Sequence, residues 1–346
     1  MIFEQVANGG CQSYLIGCSE ACVGALIDPE VRKIDRYRAL AAQHGVRIQY
    51  IIDTHTHADH FSASKQLSEI LDVPVIAHRL SPAPYVDLRI DEGDVIKVGN
   101  IRLTVLHTPG HTRDSMSLVA SDRVFTGDAL LIGATGRTDL PTGDPEQLYD
   151  SLFNKLLKLS PDLRIYPAHV YKGSTCSTIE EELRSNPRLQ KRDRGEFVEM
   201  MRTLSLSMPE HLTEALRVNM SGGVSVAQLL SEAAAEVPFM SMEEVKSRVE
   251  AGANDFIVLD VRERDAFDAA HIPSAKHLPR GQLELRVNEA LPDPTLRIVT
   301  YCEVGKISTL AAATLRRMGF TRAVALDGGM KAWKEKGYQT EATPQA

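Results

Sequence analysis

Short apolar runs bounded by polar turns alternate with stretches of helical periodicity along nearly the whole chain. In the N-terminal third, the runs at 23–27, 47–52, 73–77, 101–106 and 123–126 read as strands, with 31–44 and 62–71 as helices between them. Asp144 is placed as an N-cap with Pro145 at the first helical position, which predicts a helix over 145–158. From about 179 to 217 the pattern is mostly helical and charged, and Gly222-Gly223 breaks it. Residues 224–237 read as an amphipathic connector ending at Pro238. The expected division is therefore a domain over 1–221, a linker over 222–239 and a domain over 240–346. In the last of these, Ser241 and Glu244 have capping-box spacing and open a helix that stops near Gly252. Strands at 256–259, 296–301 and 322–326 then alternate with helices at 308–318 and 330–336, the pattern of a parallel α/β sheet with helices on both faces.

Composition narrows the class. With 43% apolar and 25% charged residues the 346-residue chain reads as a soluble globular protein, long enough for two domains. Its 39 Lys+Arg against 46 Asp+Glu leave a net charge of −7, with no dense basic run to neutralise phosphates, so nucleic acid is excluded as a partner. No apolar run approaches the ~20 residues that span a bilayer, and Met1-Ile2-Phe3-Glu4-Gln5 lacks the features of a signal peptide, which predicts a cytoplasmic address. Five cysteines are too few for a disulfide scaffold, and the odd count leaves one unpaired within the chain. Cys18 and Cys22 lack a second pair at zinc spacing and read as structural.

Strand 47–52 runs into Asp53-Thr54-His55-Thr56-His57-Ala58-Asp59-His60. Strand ends hold exposed loop backbone rigidly, which suits ligand binding, and clustered imidazole and carboxylate suit zinc or iron. Three further strand ends carry the same chemistry: His111 in Thr108-Pro109-Gly110-His111-Thr112, Asp128 in Thr126-Gly127-Asp128, and His169 in Tyr166-Pro167-Ala168-His169. Seven metal-type side chains at four strand ends point to one metal centre.

These motifs resemble the metallo-β-lactamase fold, which implies an αββα sandwich with metal on one edge. The fold hosts two-metal hydrolases such as glyoxalase II and one-metal oxygenases, and the seven residues do not separate them. Gly136-Arg137-Thr138-Asp139-Leu140, and Pro167-Ala168-His169-Val170-Tyr171-Lys172-Gly173 leading to Asn186-Pro187-Arg188-Leu189, are similar to the persulfide dioxygenase family over nearly all of residues 1–205. The resemblance implies one Fe(II) held by His55, His111 and Asp128. His57, Asp59, His60 and His169 would orient those ligands through hydrogen bonds, or become ligands themselves if two metals bind. Two histidines and a carboxylate on one face leave positions open for O₂ and a substrate sulfur. The implied reaction takes glutathione persulfide and O₂ to sulfite and glutathione, with Arg137 forked onto a glutathione carboxylate and Tyr171 donating its hydroxyl. Val170 stands where the family usually has an aspartate.

Cys302 follows strand 296–301 in the loop Cys302-Glu303-Val304-Gly305-Lys306-Ile307, ahead of a helix. A thiol at such a turn meets backbone N–H groups and a helix N-terminus, which stabilise a thiolate and cradle a persulfide. Asp260-Val261-Arg262-Glu263, His271-Ile272-Pro273-Ser274-Ala275 and Leu326-Asp327-Gly328-Gly329-Met330-Lys331-Ala332-Trp333 resemble the rhodanese family over about 240–340. That implies a sulfurtransferase in which Cys302 takes a sulfane sulfur and passes it on, with thiosulfate or sulfite as partner. Many rhodanese loops carry arginine where Ile307 stands. Here the base, Lys306, comes one position earlier, and Glu303 adds negative charge beside the thiol. A Cys-x₅-Arg phosphatase loop is excluded by Ser308.

Together the motifs predict a persulfide dioxygenase joined to a rhodanese, the two sites sharing a sulfur metabolite through tethering. The family implies a homodimer. Two other readings stay open: a two-zinc thioester hydrolase of glyoxalase II type with a fused rhodanese, and a C-terminal domain that binds without catalysing. A lactonase or nuclease on the same fold leaves Gly136 to Leu140 and the second domain without a role.

Overall fold

The computed structural model describes residues 1–171, 175–209 and 212–343. The chain divides into two compact units, Met1–Gly223 and Val224–Ala346.

In the first unit, β1 (Ile2–Asn8), β2 (Cys11–Cys18), β3 (Val23–Ile27), β4 (Arg47–Ile52), β5 (Val75–His78) and β6 (Leu88–Ile90) form one sheet in that order. Next come β7 (Val95–Val98), β8 (Ile101–His107), β9 (Met116–Val119), β10 (Arg123–Gly127), a small hairpin of β11 (Leu130–Leu131) and β12 (Ala134–Thr135), then β13 (Arg164–Pro167) and β14 (Ser177–Thr178). Apart from the hairpin these make a second sheet, ordered β14-β13-β10-β9-β8-β7.

Alternation along the strands stacks the layers. Tyr14 and Ile16 of β2 join Phe125 of β10 and Tyr166 of β13 in a core between the sheets, while Leu15, between the first two, faces Tyr37, Leu40 and Leu67 on the outer helices. Val124 and Ile165 likewise point outward, onto Leu148, Leu152 and Phe197. The result is four layers, helix, sheet, sheet, helix. The Asp144 side chain caps its helix as expected, accepting from the N–H groups of Glu146 and Gln147, and the helix Pro145–Tyr149 widens into a π turn over Asp150–Lys155. Strands β1 and β2 are absent from the sequence reading. Nearly every residue of β2 is buried, so it lacks the polar alternation that marks a half-exposed strand.

In the second unit, β15 (Phe239–Met240), β16 (Phe256–Asp260), β17 (Lys276–His277), β18 (Arg297–Tyr301) and β19 (Val324–Leu326) form a parallel sheet ordered β15-β19-β18-β16-β17. Apolar clusters cover both faces. Residues 222–239 are not a free linker. The helix Val226–Glu236, capped by Ser225, sets Ala233 beside Val237 against Ala312, Ala313 and Ala325. The helix Lys306–Arg317 presents alanines there, a shallow apolar trough that needs another element over it. No helix among the described residues is long and apolar enough to cross a membrane.

Candidate metal centre and cysteine loop

The loop after β4 is latched from two sides. Asp28, just past β3, accepts from the backbone N–H and the hydroxyl of Thr54 at 2.7 and 2.8 Å, and faces His57 Nε2 at 3.2 Å. From the other sheet, Met116 N–H donates to the Thr54 carbonyl at 2.8 Å. Asp28 was missed in the sequence, although it too is an acid at a strand end.

His55, His111 and Asp128 come together, all buried. Asp128 Oδ2 lies 3.4 Å from His111 Nε2 and 3.9 Å from His55 Nε2. His111 Nδ1 pairs with the Arg137 carbonyl at 2.9 Å, which leaves Nε2 turned to the centre. His55 Nδ1 is 3.0 Å from the Thr54 hydroxyl, and its buried Nε2 has no hydrogen-bond partner among the described residues. Burial and the neighbouring His57 hold His55 well below the usual imidazole range, so it is neutral and can ligate. Burial pushes the Asp128 carboxyl up, but His169, His111 and His55 outweigh it and keep it ionised. Two imidazole nitrogens and one anionic oxygen at this spacing fit a single divalent metal.

His169 has both ring nitrogens on carboxylates, Nδ1 on Asp128 at 2.7 Å and Nε2 on Asp59 at 2.6 Å. Burial opposes its charge, yet these two acids raise it well above the usual range. His60 lies with Nδ1 3.3 Å from Asp59, and its buried Nε2 has no hydrogen-bond partner among the described residues. The sequence did not single out Cys11, whose Sγ is 3.4 Å from both Asp59 Oδ2 and His169 Nε2. Only the pairing of β2 with the end of β13 brings it there: Gln12 N–H donates to the Ala168 carbonyl and Val170 N–H to that of Gly10.

In the second unit Cys302 sits buried at the end of β18, with its sulfur accepting from Ser308 N–H at 3.4 Å. Gly305, at φ +88°, turns the chain into the following helix. The Leu326-to-Trp333 motif braces the loop from behind. Met330 and Lys331 N–H donate to the Cys302 and Glu303 carbonyls, and a Cβ on Gly329 would stand 2.7 Å from the Cys302 carbonyl oxygen. The Glu303 charge is not free beside the thiol: it pairs at 3.2 Å with Arg262, itself forked onto buried Asp260. Val304, Lys306 and Ile307 are exposed around the cysteine.

Comparison with known proteins agrees with this division. The profile of the metallo-beta-lactamase superfamily matches residues 8–169, and that of the rhodanese-like domain matches 241–336. The human mitochondrial persulfide dioxygenase ETHE1 is 41% identical over 215 residues, 61% of this chain and 84% of that protein. The chain belongs to the persulfide dioxygenase family. Another similar protein, ETHE1 from Myxococcus xanthus, is 39% identical in its crystal structure, with a TM-score of 0.63 over 65% of this chain and all of the other. A metallo-beta-lactamase structure from Staphylococcus aureus, at 22% identity and a TM-score of 0.61, covers 95% of the chain and shows the fold alone. The architecture is thus a metallo-β-lactamase domain followed by a rhodanese-like domain.

In this persulfide dioxygenase relative the metal cluster opens into a cavity of about 470 Å³, bounded by Cys11, Asp59, His111, Asp128 and His169 and walled by Arg137, Tyr171 and Arg188. A larger hollow, about 760 Å³, contains none of these residues. Tyr171 is exposed at the cavity wall, its ring parallel to that of His169 at 5.7 Å. Lys172 and Gly173 of the same motif lie outside the described residues. Arg137 departs from expectation. Its fork is already closed on Asp139 at 2.6 and 2.7 Å and its Nη1 donates to the Ser207 carbonyl, because the acid two residues along offers a local bidentate partner. Arg188 is the cation left open. It is half-buried, donates to the Thr135 carbonyl and hydroxyl at 2.6 and 3.2 Å, and has no acidic partner among the described residues.

Proposed function

We propose that the first unit oxidises a small-thiol persulfide, glutathione persulfide, at one Fe(II) held by His55, His111 and Asp128, and that the second transfers sulfane sulfur through Cys302. The observation that carries the reading is the buried donor set of two histidines and one carboxylate, with a His55 nitrogen unpartnered among the described residues, at the end of a cavity whose Arg188 meets no acid among them. The overall reaction is RSSH + O₂ + H₂O → RSH + SO₃²⁻ + 2H⁺. Iron bound to such a set supplies the one-electron chemistry that O₂ needs, with positions left for O₂ and sulfur. The chain's own groups do the rest. The Arg137 carbonyl keeps His111 in the ligating tautomer, and His169, charged between two carboxylates, fixes the orientation of Asp128. Arg188 receives a carboxylate of the thiol carrier, Arg137 holds the loop that positions His111, and Tyr171 flanks the entrance. In the second unit Cys302 attacks the outer sulfur of a persulfide or thiosulfate, forms its own persulfide and expels the thiol or sulfite, while Ser308 N–H steadies the sulfur anion. Tethering the two sites concentrates the sulfur species they share.

Oxygen uptake by iron-loaded protein given glutathione persulfide tests the first half. Uptake matched by sulfite, at one iron per chain, is expected. No uptake with the metal verified in place would sink the reading, and two zinc per chain with thioester hydrolysis would replace it. For the second half, Cys302→Ser should abolish sulfur transfer from thiosulfate to glutathione. Unchanged turnover would make the domain a binding module.

A further inference from the structure

We propose that Asn219 is a positioning residue for the metal centre: from the last turn of the helix Leu212–Ser221 its side-chain amide sets the backbone of the loop over 57–62, and through His57 the ring of His55. The residue is 4% exposed and its amide is fully paired. Its Nδ2 donates to the His57 and His60 carbonyls at 2.8 Å each, and its Oδ1 accepts from Ser62 N–H at 3.0 Å. A carboxamide suits two carbonyls and one N–H because it carries two donor hydrogens and an acceptor on one flat group. Aspartate would keep the acceptor and lose the donors. A hydrophobe of the same size would leave all three backbone groups without this partner.

Helix propensity argues against asparagine at this place, since its side chain competes for nearby backbone groups. Here it is turned instead to the buried face, beside Ala215 and Val218. The end of the helix is held next to the loop: the Tyr85 hydroxyl donates to the Asn219 carbonyl at 2.9 Å, and Lys65 Nζ to the Gly222 carbonyl at 2.6 Å. Asp28 latches the start of the loop at Thr54, and Asn219 latches its far half. Between the two latches the histidine rings pack on one another, with the His57 centroid 4.2 Å from those of both His55 and His60. In a close-packed interior a shift of the 57–60 backbone is therefore passed on to the His55 ring. The inference rests on the reading of His55, His111 and Asp128 as metal ligands.

Hydrogen exchange and iron binding on the full-length protein provide the test. In metal-free Asn219→Ala, amide exchange over 57–63 should speed roughly tenfold or more, while β2 and β10 keep their wild-type rates. Competition with a chelator should show iron affinity reduced roughly tenfold to a hundredfold, the range for partners that orient ligands. At saturating iron, kcat should fall with KM for glutathione persulfide little changed, because Arg188 and Tyr171 lie on other loops. Val218→Ala thins the packing of the same helix face and keeps the amide, so it should lower the melting temperature and leave iron affinity unaltered. If Asn219→Ala does not fold, the wild-type protein decides: iron loading should slow exchange over 57–63 and 212–221 together. Unchanged exchange and affinity in folded Asn219→Ala, a rise in KM alone, an equal loss of affinity in Val218→Ala, or slowing by iron confined to 57–63 would overturn the proposal. Absence of oxygen uptake by iron-loaded wild-type protein, with the exchange and affinity results as expected, would refute the oxygenase reading and leave Asn219 in its role.

Discussion

At the scale of single residues, the divergence between Arg137 and Arg188 is the sharpest consequence of the structure. Both are arginines in motifs that the sequence marks, and composition cannot tell them apart. What separates them is the neighbour, because Asp139 closes on one guanidinium and no acid among the described residues reaches the other. A charge-assisted hydrogen bond contributes about 1.5–3 kcal/mol. Arg188→Leu should accordingly raise KM for glutathione persulfide roughly tenfold to a hundredfold with little change in kcat. A persulfide without carboxylates should show no such difference; steady-state kinetics on both substrates decide it. His78 supplies a pH test. Burial and the neighbouring His107 ring, stacked 4.0 Å away, outweigh Asp91 and hold it below the usual imidazole range. Stability from its neutral form is complete above the unfolded value of about 6.5 and is lost as pH falls toward the lower folded one. Between pH 7.5 and 5.5 the melting temperature of the wild-type first unit should fall relative to that of His78→Asn, whatever slope the oppositely shifted His169 imposes on both. Parallel slopes in the two proteins would rule out the His78 contribution.

At the scale of elements, glycine and small-residue contacts set how loops reach the chemistry. The Gly136 segment runs so close under the metal loop that a Cβ would lie 1.9 Å from the Asp128 carbonyl oxygen. Gly136→Ala should cost about 1–3 kcal/mol of stability through overpacking and, by displacing Asp128, lower iron affinity at least tenfold. Melting curves and metal titration measure the two separately. In the second unit the helix Val226–Glu236 illustrates what periodicity leaves out. Its amphipathic pattern was legible, but its partner was not, since the alanines it covers are roughly 75 to 92 residues away in sequence. A fragment starting at Pro238 should be less stable to urea than one starting at Val224, by about 2 kcal/mol for the lost Val237 and Ala233 burial. Identical midpoints would mean the helix does not contribute.

At the scale of the molecule, the apolar clusters of the first unit contain no residue of the second, and the reverse holds among the described residues. Separate cores predict two calorimetric transitions rather than one. Iron loading should raise only the one that belongs to the first unit, and a single cooperative transition shifted as a whole would contradict this. The alternating elements, the strand-end histidines and the cysteine loop with its glycine were all readable along the chain, because each is a local pattern of spacing and turn chemistry. The motifs offered His55, His111 and Asp128 only among seven candidates, and the family resemblance alone singled them out. Cys11, Asp28, the closed fork of Arg137 and the open one of Arg188 could not be read there. Each is defined by which groups stand within about 4 Å across sheets and loops, and that distance is set by how buried strands pair. A fully buried strand such as β2 carries little periodic signature of its own. The chain by itself determined the elements and the chemistry on offer. Only packing decided which donors meet, which charges are already neutralised, and which thiol stands next to a metal centre.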